Sequence, residues 1–263
     1  MLKQELRQTF SRALPWLCML AFIACLEGSA LPIWIIRCQQ GDRELMSAMF
    51  MTFTPVFFGG TMLLVPLCAA AGYGAVHAEE LRTRFFLFEM LRTSEKKYVL
   101  IKAMSAMLTG ALVLGGGFLL HTVLWHIVAG PYDVAARPDV AVDFVTGTVY
   151  DAYIQTPYAV MVYVHAIIGF AITGALWAMV AMTLLVWNKD PQLSVALTLV
   201  IYFLMRNRFI DLVLGIHMPD YTGLYNDGQL WADYFKALVF HLVMMIVLTV
   251  IYGRGVRRCE ARG

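Results

Sequence analysis

The sequence predicts an all-α integral membrane protein with six transmembrane helices, and three observations predict it. The first is composition: of 263 residues, 60% are hydrophobic and only 14% charged, against about 25% charged in an ordinary soluble domain. One soluble core of this size cannot enclose so much apolar surface, so the remainder faces lipid. The second is length, because a span needs about 20 apolar residues at 1.5 Å each, and runs of that order recur along the chain. The third is the distribution of basic residues, which sets orientation and calls for an even number of spans.

The elements follow in chain order. In Leu2–Arg12, Leu2, Leu6 and Phe10 recur every four residues while Lys3, Arg7, Gln8 and Arg12 take the other faces. That pattern predicts an amphipathic helix over residues 1–12 lying in the membrane interface, or else a polar cytosolic tail. The polar opening and the length of the next apolar run do not suit a cleavable signal, so the first span is expected to be retained. The runs Leu14–Ile36, Met46–Val76, Tyr98–Val128, Tyr158–Trp187 and Tyr234–Tyr252 each reach spanning length. Gln192–Leu204 is shorter and runs on into the charged stretch Arg206-Asn207-Arg208 and Asp211. A fifth span that ends early, followed by a re-entrant segment over Phe209–Ile216, is expected there. Such irregular backbone is tolerated at membrane depth only against protein or water. Residues 131–157 and 205–232 are then the larger extracytoplasmic segments. No internal repeat is seen, and residues 1–263 read as one membrane domain.

With the N-terminus inside, cytoplasmic segments hold 14 of the 20 Lys and Arg residues. Six of the 14 are Arg82, Arg84, Arg92, Lys96, Lys97 and Lys102. The outer loop Pro131–Pro157 agrees, with Asp133, Asp139, Asp143 and Asp151 against Arg137 alone. Both termini are therefore expected in the cytoplasm. Five cysteines show no C-x-x-C pair, and most lie in or beside apolar runs, where a thiol behaves as a small hydrophobe.

Two intramembrane features stand out. Glu27 lies mid-span beside Gly28, where an ionised carboxylate costs about 3 kcal/mol on insertion scales. It is expected to line a substrate pathway or a coupling charge pair, to bond a neighbouring helix, or to stay protonated. Arg206 and Arg208 are candidates to attract an anionic substrate group, or to anchor the fifth span. Pro55 and Pro66 are expected to kink the second span, and Gly115-Gly116-Gly117, Gly169 and Gly174 to permit close helix approach. His121, His126, His165 and His241 occupy unrelated positions, so packing or hydrogen bonding is expected of them and no metal site.

The most informative stretch is Glu79–Tyr98, between the second and third spans. Glu79 and Glu80 sit at the membrane exit, followed by an aromatic helix with Phe85, Phe86, Phe88, Glu89, Met90 and Arg92. A Thr93-Ser94 break comes next, with either residue placed to cap the following helix, then Lys96-Lys97. So short a segment cannot bury its aromatic surface, which predicts either a docking site for another protein or a helix lying flat on lipid.

Here the chain resembles the type-2 permeases of ABC transporters, on Glu79/Glu80, Thr93-Ser94, Lys96-Lys97, Tyr98 and Lys102, and on the whole six-span layout. The resemblance implies an exporter subunit in a bacterial plasma membrane that works as a homo- or heterodimer with a second permease subunit. It implies a separate ATPase subunit docked on residues 79–97, the coupling helix region, through Glu79, Glu80, Phe85, Phe86, Phe88, Glu89, Arg92, Ser94, Lys96 and Lys97. The chain has no G-x-x-x-x-G-K-[ST] sequence, so ATP and Mg are expected in that partner and no cofactor in this chain. An amphipathic or hydrophobic substrate (peptide, antimicrobial, lipid or drug) is expected, with membrane lipids but no nucleic acid as further partners. Two other readings remain. Glu79-Glu80-x-x-x-Arg84 fits one element of intramembrane glutamyl proteases of the CAAX-processing kind, but their F-x-x-x-H and H-x-x-x-N elements are missing. A membrane immunity protein that binds without pumping is the other.

Overall fold

The computed structural model describes residues 2–40, 48–58, 64–129, 160–206 and 231–260, all of them helix or short turn and none strand. The helices are α1 (Leu2–Phe10), α2 (Ala13–Gln40), α3 (Ala48–Phe58), α4 (Val65–Arg82) and α5 (Phe85–Arg92), then α6 (Glu95–Ala111) and α7 (Gly117–Ala129). They are followed by α8 (Val160–Asn188), α9 (Pro191–Arg206) and α10 (Trp231–Glu260).

Four helices are long and apolar enough to cross a membrane: Ala13–Ile36, Glu95–Ala129, Val160–Asn188 and Phe235–Glu260. They correspond to the first, third, fourth and sixth predicted spans, and they make this an integral membrane protein. Two shorter apolar helices, Val65–Gly74 and Pro191–Met205, fall within the second and fifth predicted runs. The second run contains α3 and α4, with residues 59–63 outside the described residues. Pro55 lies inside α3, whereas Pro66 stands in the first turn of α4, where its missing N–H costs nothing. It opens a helix rather than kinking one. The predicted outer segment 131–157 and re-entrant stretch Phe209–Ile216 lie outside the described residues.

The α6–α7 rod is continuous through a π-helical turn at Leu112–Gly116. Helix α8 is the most enclosed span, packed against α4, α6, α9 and α10, while α2 and α10 expose most of their length. Leu17, Leu20 and Leu31 on α2, and Val239, Val243, Ile246 and Val250 on α10, point outward, as lipid-facing residues must. The tightest crossing is α6 on α8. A Cβ at Gly110 would lie 2.2 Å from the Gly174 carbonyl oxygen, and one at Gly174 equally close to Gly110 O, so only glycine lets these backbones meet. Above the crossing, Phe118 stacks on Phe170 at 4.3 Å and Phe22 closes on Phe170 at 5.7 Å.

Local chemistry sets the corners. At the α1–α2 turn the Trp16 indole donates to Phe10 O at 2.9 Å. Lys189, at φ 62°, reverses the chain after α8. Asp190 then caps α9, its carboxylate accepting the Gln192 and Leu193 N–H groups at 2.9 and 3.3 Å.

Candidate functional site

The stretch singled out by sequence forms a compact unit at one end of the bundle. Helix α4 ends as the Thr83 hydroxyl donates to Glu79 O at 2.8 Å and Arg84 turns to φ 57°, a left-handed conformation that breaks a helix. Helix α5 follows for only eight residues. It stops at Thr93, whose hydroxyl donates to Glu89 O at 2.8 Å. Ser94 holds the extended N-cap position of α6 without a side-chain bond, so the predicted capping by a hydroxyl is not made. The first α6 bond there runs from Tyr98 N–H to Ser94 O at 3.0 Å.

Helix α5 divides by its 3.6-residue period. Phe86 is buried, and Glu89 and Met90 share that inner face. Phe85, Phe88 and Leu91 face out at 48%, 63% and 84% exposure. The predicted aromatic surface is therefore partly corrected: Phe86 belongs to the core with Tyr98, Val99 and Val256, and Leu91 joins Phe85 and Phe88 outside. Arg92, Lys96 and Lys97 are exposed.

Behind this face lies a buried charge cluster centred on Lys102, which is 1% exposed. Its ammonium donates to Glu80 Oε1 and pairs with Glu5 Oε1, both at 2.8 Å, and with Glu89 Oε2 at 3.0 Å. The Tyr98 ring adds a cation–π contact at 5.6 Å. A second layer completes the network. Tyr73 O–H donates to Glu5 Oε1 at 3.0 Å, His77 Nδ1 meets Glu80 Oε2 at 3.2 Å, and Tyr252 O–H meets His77 Nε2 at 3.1 Å. Through one ammonium, α1, α4, α5 and α6 converge, and α10 joins through Tyr252. Oxygens of Glu5, Glu80 and Glu89 come within 4.8 Å of one another, a spacing that would suit a metal ion; here they converge on the Lys102 ammonium.

Three carboxylates against one ammonium load the cluster unevenly. Burial pushes the Glu89 carboxyl up, and the neighbouring Glu80 and Glu5 push it further, outweighing Lys102. Burial also acts on Glu80, but the His77 hydrogen bond and the Lys102 charge outweigh it and hold that carboxyl below the usual range. Of the two, Glu89 takes up a proton first as pH falls. A cavity of about 460 Å³ lies against the cluster, lined by Gln4, Glu5, Gln8, Phe85, Phe88, Glu89, Arg92 and Lys102 among others.

The remaining candidates separate. Glu79 is exposed and pairs with Arg12 at 2.8 Å, fastening the α1–α2 corner to α4. Glu95, at the head of α6, pairs with Arg257 of α10. Glu27 lies far from α5 in the bundle's interior, against His121 at 2.6 Å. The Arg206 side chain and all of Arg208 lie outside the described residues. Comparison with family models, characterised proteins and solved structures finds no match.

Sequence reasoning missed Glu5, His77 and Tyr252, while His121, expected to pack or hydrogen-bond, meets Glu27 and Thr52 O. Glu5 and Thr9 are the buried positions of α1, while Leu2, Leu6 and Phe10 are half-buried. The inward face of α1 is thus set by an ion pair, where the apolar periodicity alone pointed to Leu2, Leu6 and Phe10.

Proposed function

We propose that this chain is the membrane-spanning permease subunit of an ATP-driven ABC exporter, coupled to a separate ATPase subunit. The observation that carries the reading is α5. It is a short helix between α4 and the spanning helix α6–α7 that turns Phe85, Phe88 and Leu91 outward and fastens its inner face to the bundle through Phe86 and the Glu89–Lys102 pair. A helix serving only as a connection has no need of a buried three-carboxylate anchor behind an apolar outer face. A docking helix has both needs, because force applied to its outer face must reach the spans. Through Lys102 the path runs from α5 to α6, α4 and α1.

In this reading α3 with α4 supplies the second span and α9 the fifth, giving six, with both termini in the cytoplasm of a bacterial cell. Two such subunits enclose the pathway, and the ATPase subunits bind ATP and Mg. The cargo is amphipathic or hydrophobic, in keeping with the apolar walls of the bundle.

The test is association. Phe88→Asp changes an exposed residue, so the chain is expected to fold with its stability altered by less than about 0.5 kcal/mol. It should lose its stoichiometric ATPase partner and the transport-linked ATP hydrolysis measured in proteoliposomes. ATP hydrolysis by the purified chain alone would contradict the proposal.

A further inference from the structure

A second ionisable constellation sits inside the spanning bundle, away from α5. Glu27 of α2 places Oε1 2.6 Å from Nδ1 of His121 on α7, and His121 Nε2 lies 3.3 Å from the Thr52 carbonyl oxygen on α3. His121 is fully buried and the Glu27 side chain only 13% exposed. Three more buried polar atoms on these residues and their neighbour have no partner among the described residues: Glu27 Oε2, the Thr52 hydroxyl and the Trp125 indole N–H. The Trp125 ring stands edge-on to His121 at 6.5 Å.

The hydrogen-bond inventory fixes what this geometry requires. A backbone carbonyl only accepts, so Nε2 must carry a proton to bond Thr52 O. A neutral imidazole has then spent its only N–H, and Nδ1 presents a lone pair to Glu27. Two lone pairs do not meet at 2.6 Å, so a further proton lies between them. It resides either on Nδ1, giving imidazolium and carboxylate, or on Oε1, giving imidazole and carboxylic acid. Both forms hold the same number of protons and are electrically neutral.

We infer that Glu27 and His121 together form a proton-binding site within the membrane-spanning bundle, whose occupied state ties α2, α3 and α7 together. Uptake is simple in balance: one hydrogen ion enters, no covalent bond between heavy atoms changes, and the pair passes from one negative charge to neutrality. When the proton leaves, the ring keeps one N–H. If that N–H turns to Glu27, the bond to Thr52 on α3 is lost; if it stays on Thr52, lone pairs oppose each other and the bond to Glu27 on α2 is lost. Either way the hydrogen-bonded link that runs through all three helices is complete only while the proton is bound, although apolar contacts such as Trp34–Trp125 and Phe53–Phe118 persist.

Little else that ionises faces the pair. Helix α3 carries no ionisable side chain. Helix α7 adds only His126, whose ring meets Tyr163 of α8 edge-on at 4.8 Å and whose Nδ1 lies on Thr122 O. Helix α8 adds Tyr163 and His165, α2 adds Cys18, Cys25, Arg37 and Cys38, and α4 adds Cys68 before the Tyr73–Glu80 group of the Lys102 cluster. Among the described residues no cation is paired with Glu27 except through His121, so the proton itself is the compensating charge.

The test reads protons directly, independently of any partner or transport. Nitrogen NMR of the histidine-labelled chain in lipid nanodiscs assigns both His121 ring nitrogens at neutral pH, and infrared difference spectra report the Glu27 carboxyl. The expected result is one of the two loaded forms. Either the ring is protonated at both nitrogens, or it is protonated at Nε2 alone beside a carboxylic acid band. Glu27→Gln, whose amide N–H can donate to Nδ1, should leave the ring neutral with only Nε2 protonated and should abolish any such band. A wild-type ring protonated at Nδ1 alone, facing an ionised Glu27, would overturn the proposal. The wild-type reading decides the matter even where the variant does not fold.

Discussion

Two buried ionic constellations, one around Lys102 and one around His121, solve the same electrostatic problem in different ways. The Lys102 cluster gathers three carboxylates, a histidine and three tyrosines at the edge of the bundle. The Glu27–His121 pair has one carboxylate, one imidazole and one carbonyl in the interior, and leaves Glu27 Oε2 unpartnered. A network rich in donors and acceptors holds one geometry and resists change. A sparse pair that needs a mobile proton to close its bonds has two geometries within reach. The first suits a junction that passes force between helices; the second suits a switch.

The largest effect should come from breaking the first network. Lys102→Met leaves three carboxylates facing one another without their common cation, and should cost about 3–5 kcal/mol, as loss of one partner from a buried pair does. Chemical unfolding in detergent micelles would measure it, and Lys102→Arg should recover part of the loss. His121→Ala should cost less, about 1–3 kcal/mol, because one buried acid loses its partner while the remaining helices keep their apolar packing. If both variants lost equal stability, the contrast between junction and switch would fail.

The carboxylates of the cluster sharpen the comparison by pH. The Glu80 carboxyl is held below its ordinary range. Its contribution to stability is therefore present above the unfolded value and lost as pH falls through the folded one. Glu80→Gln should destabilise at neutral pH, and the deficit should shrink on acidification. Glu89 is shifted the other way by burial, so its ionised form is penalised on folding and Glu89→Gln should cost less at neutral pH. Thermal scans across the acid range would show the two profiles diverging. The smallest effect belongs to the exposed pair Arg12–Glu79: Arg12→Ala should change stability by about 0–1 kcal/mol and lose even that at high salt.

Four of the six predicted spans were legible from sequence as single long apolar helices, whereas the long run Met46–Val76 contains two helices, α3 and α4. Val160–Asn188 falls close to the predicted run Tyr158–Trp187, and Trp231–Glu260 contains Tyr234–Tyr252 and runs on past it, because about 20 apolar residues in one helix leave few alternatives. The helix over the aromatic run and its break at Thr93-Ser94 were legible as well, whereas the α4–α5 break at Arg84 and the faces of α5 were not. The partners of its charges were not. Glu5 meets Lys102 and Glu27 meets His121 across long stretches of chain, and in sequence a glutamate in a polar N-terminal segment reads as a solvated one. The inward turn of Phe86 was equally hidden, because neighbouring aromatics on a short helix look alike until the packing face is known. Close approach at Gly174 was expected, but its partner Gly110 was not, because the level at which two helices cross is a tertiary property.

The most direct test of α5 as the docking helix is ATP hydrolysis by the complex purified from its native membrane, compared between wild type and Phe88→Asp. A stoichiometric ATPase subunit should accompany the wild type and hydrolyse ATP in proteoliposomes, and both subunit and activity should fall at least about tenfold in the variant, the loss of about 1.4 kcal/mol or more in association. A fully folded Phe88→Asp chain that kept its partner and activity unchanged would contradict the assignment of α5.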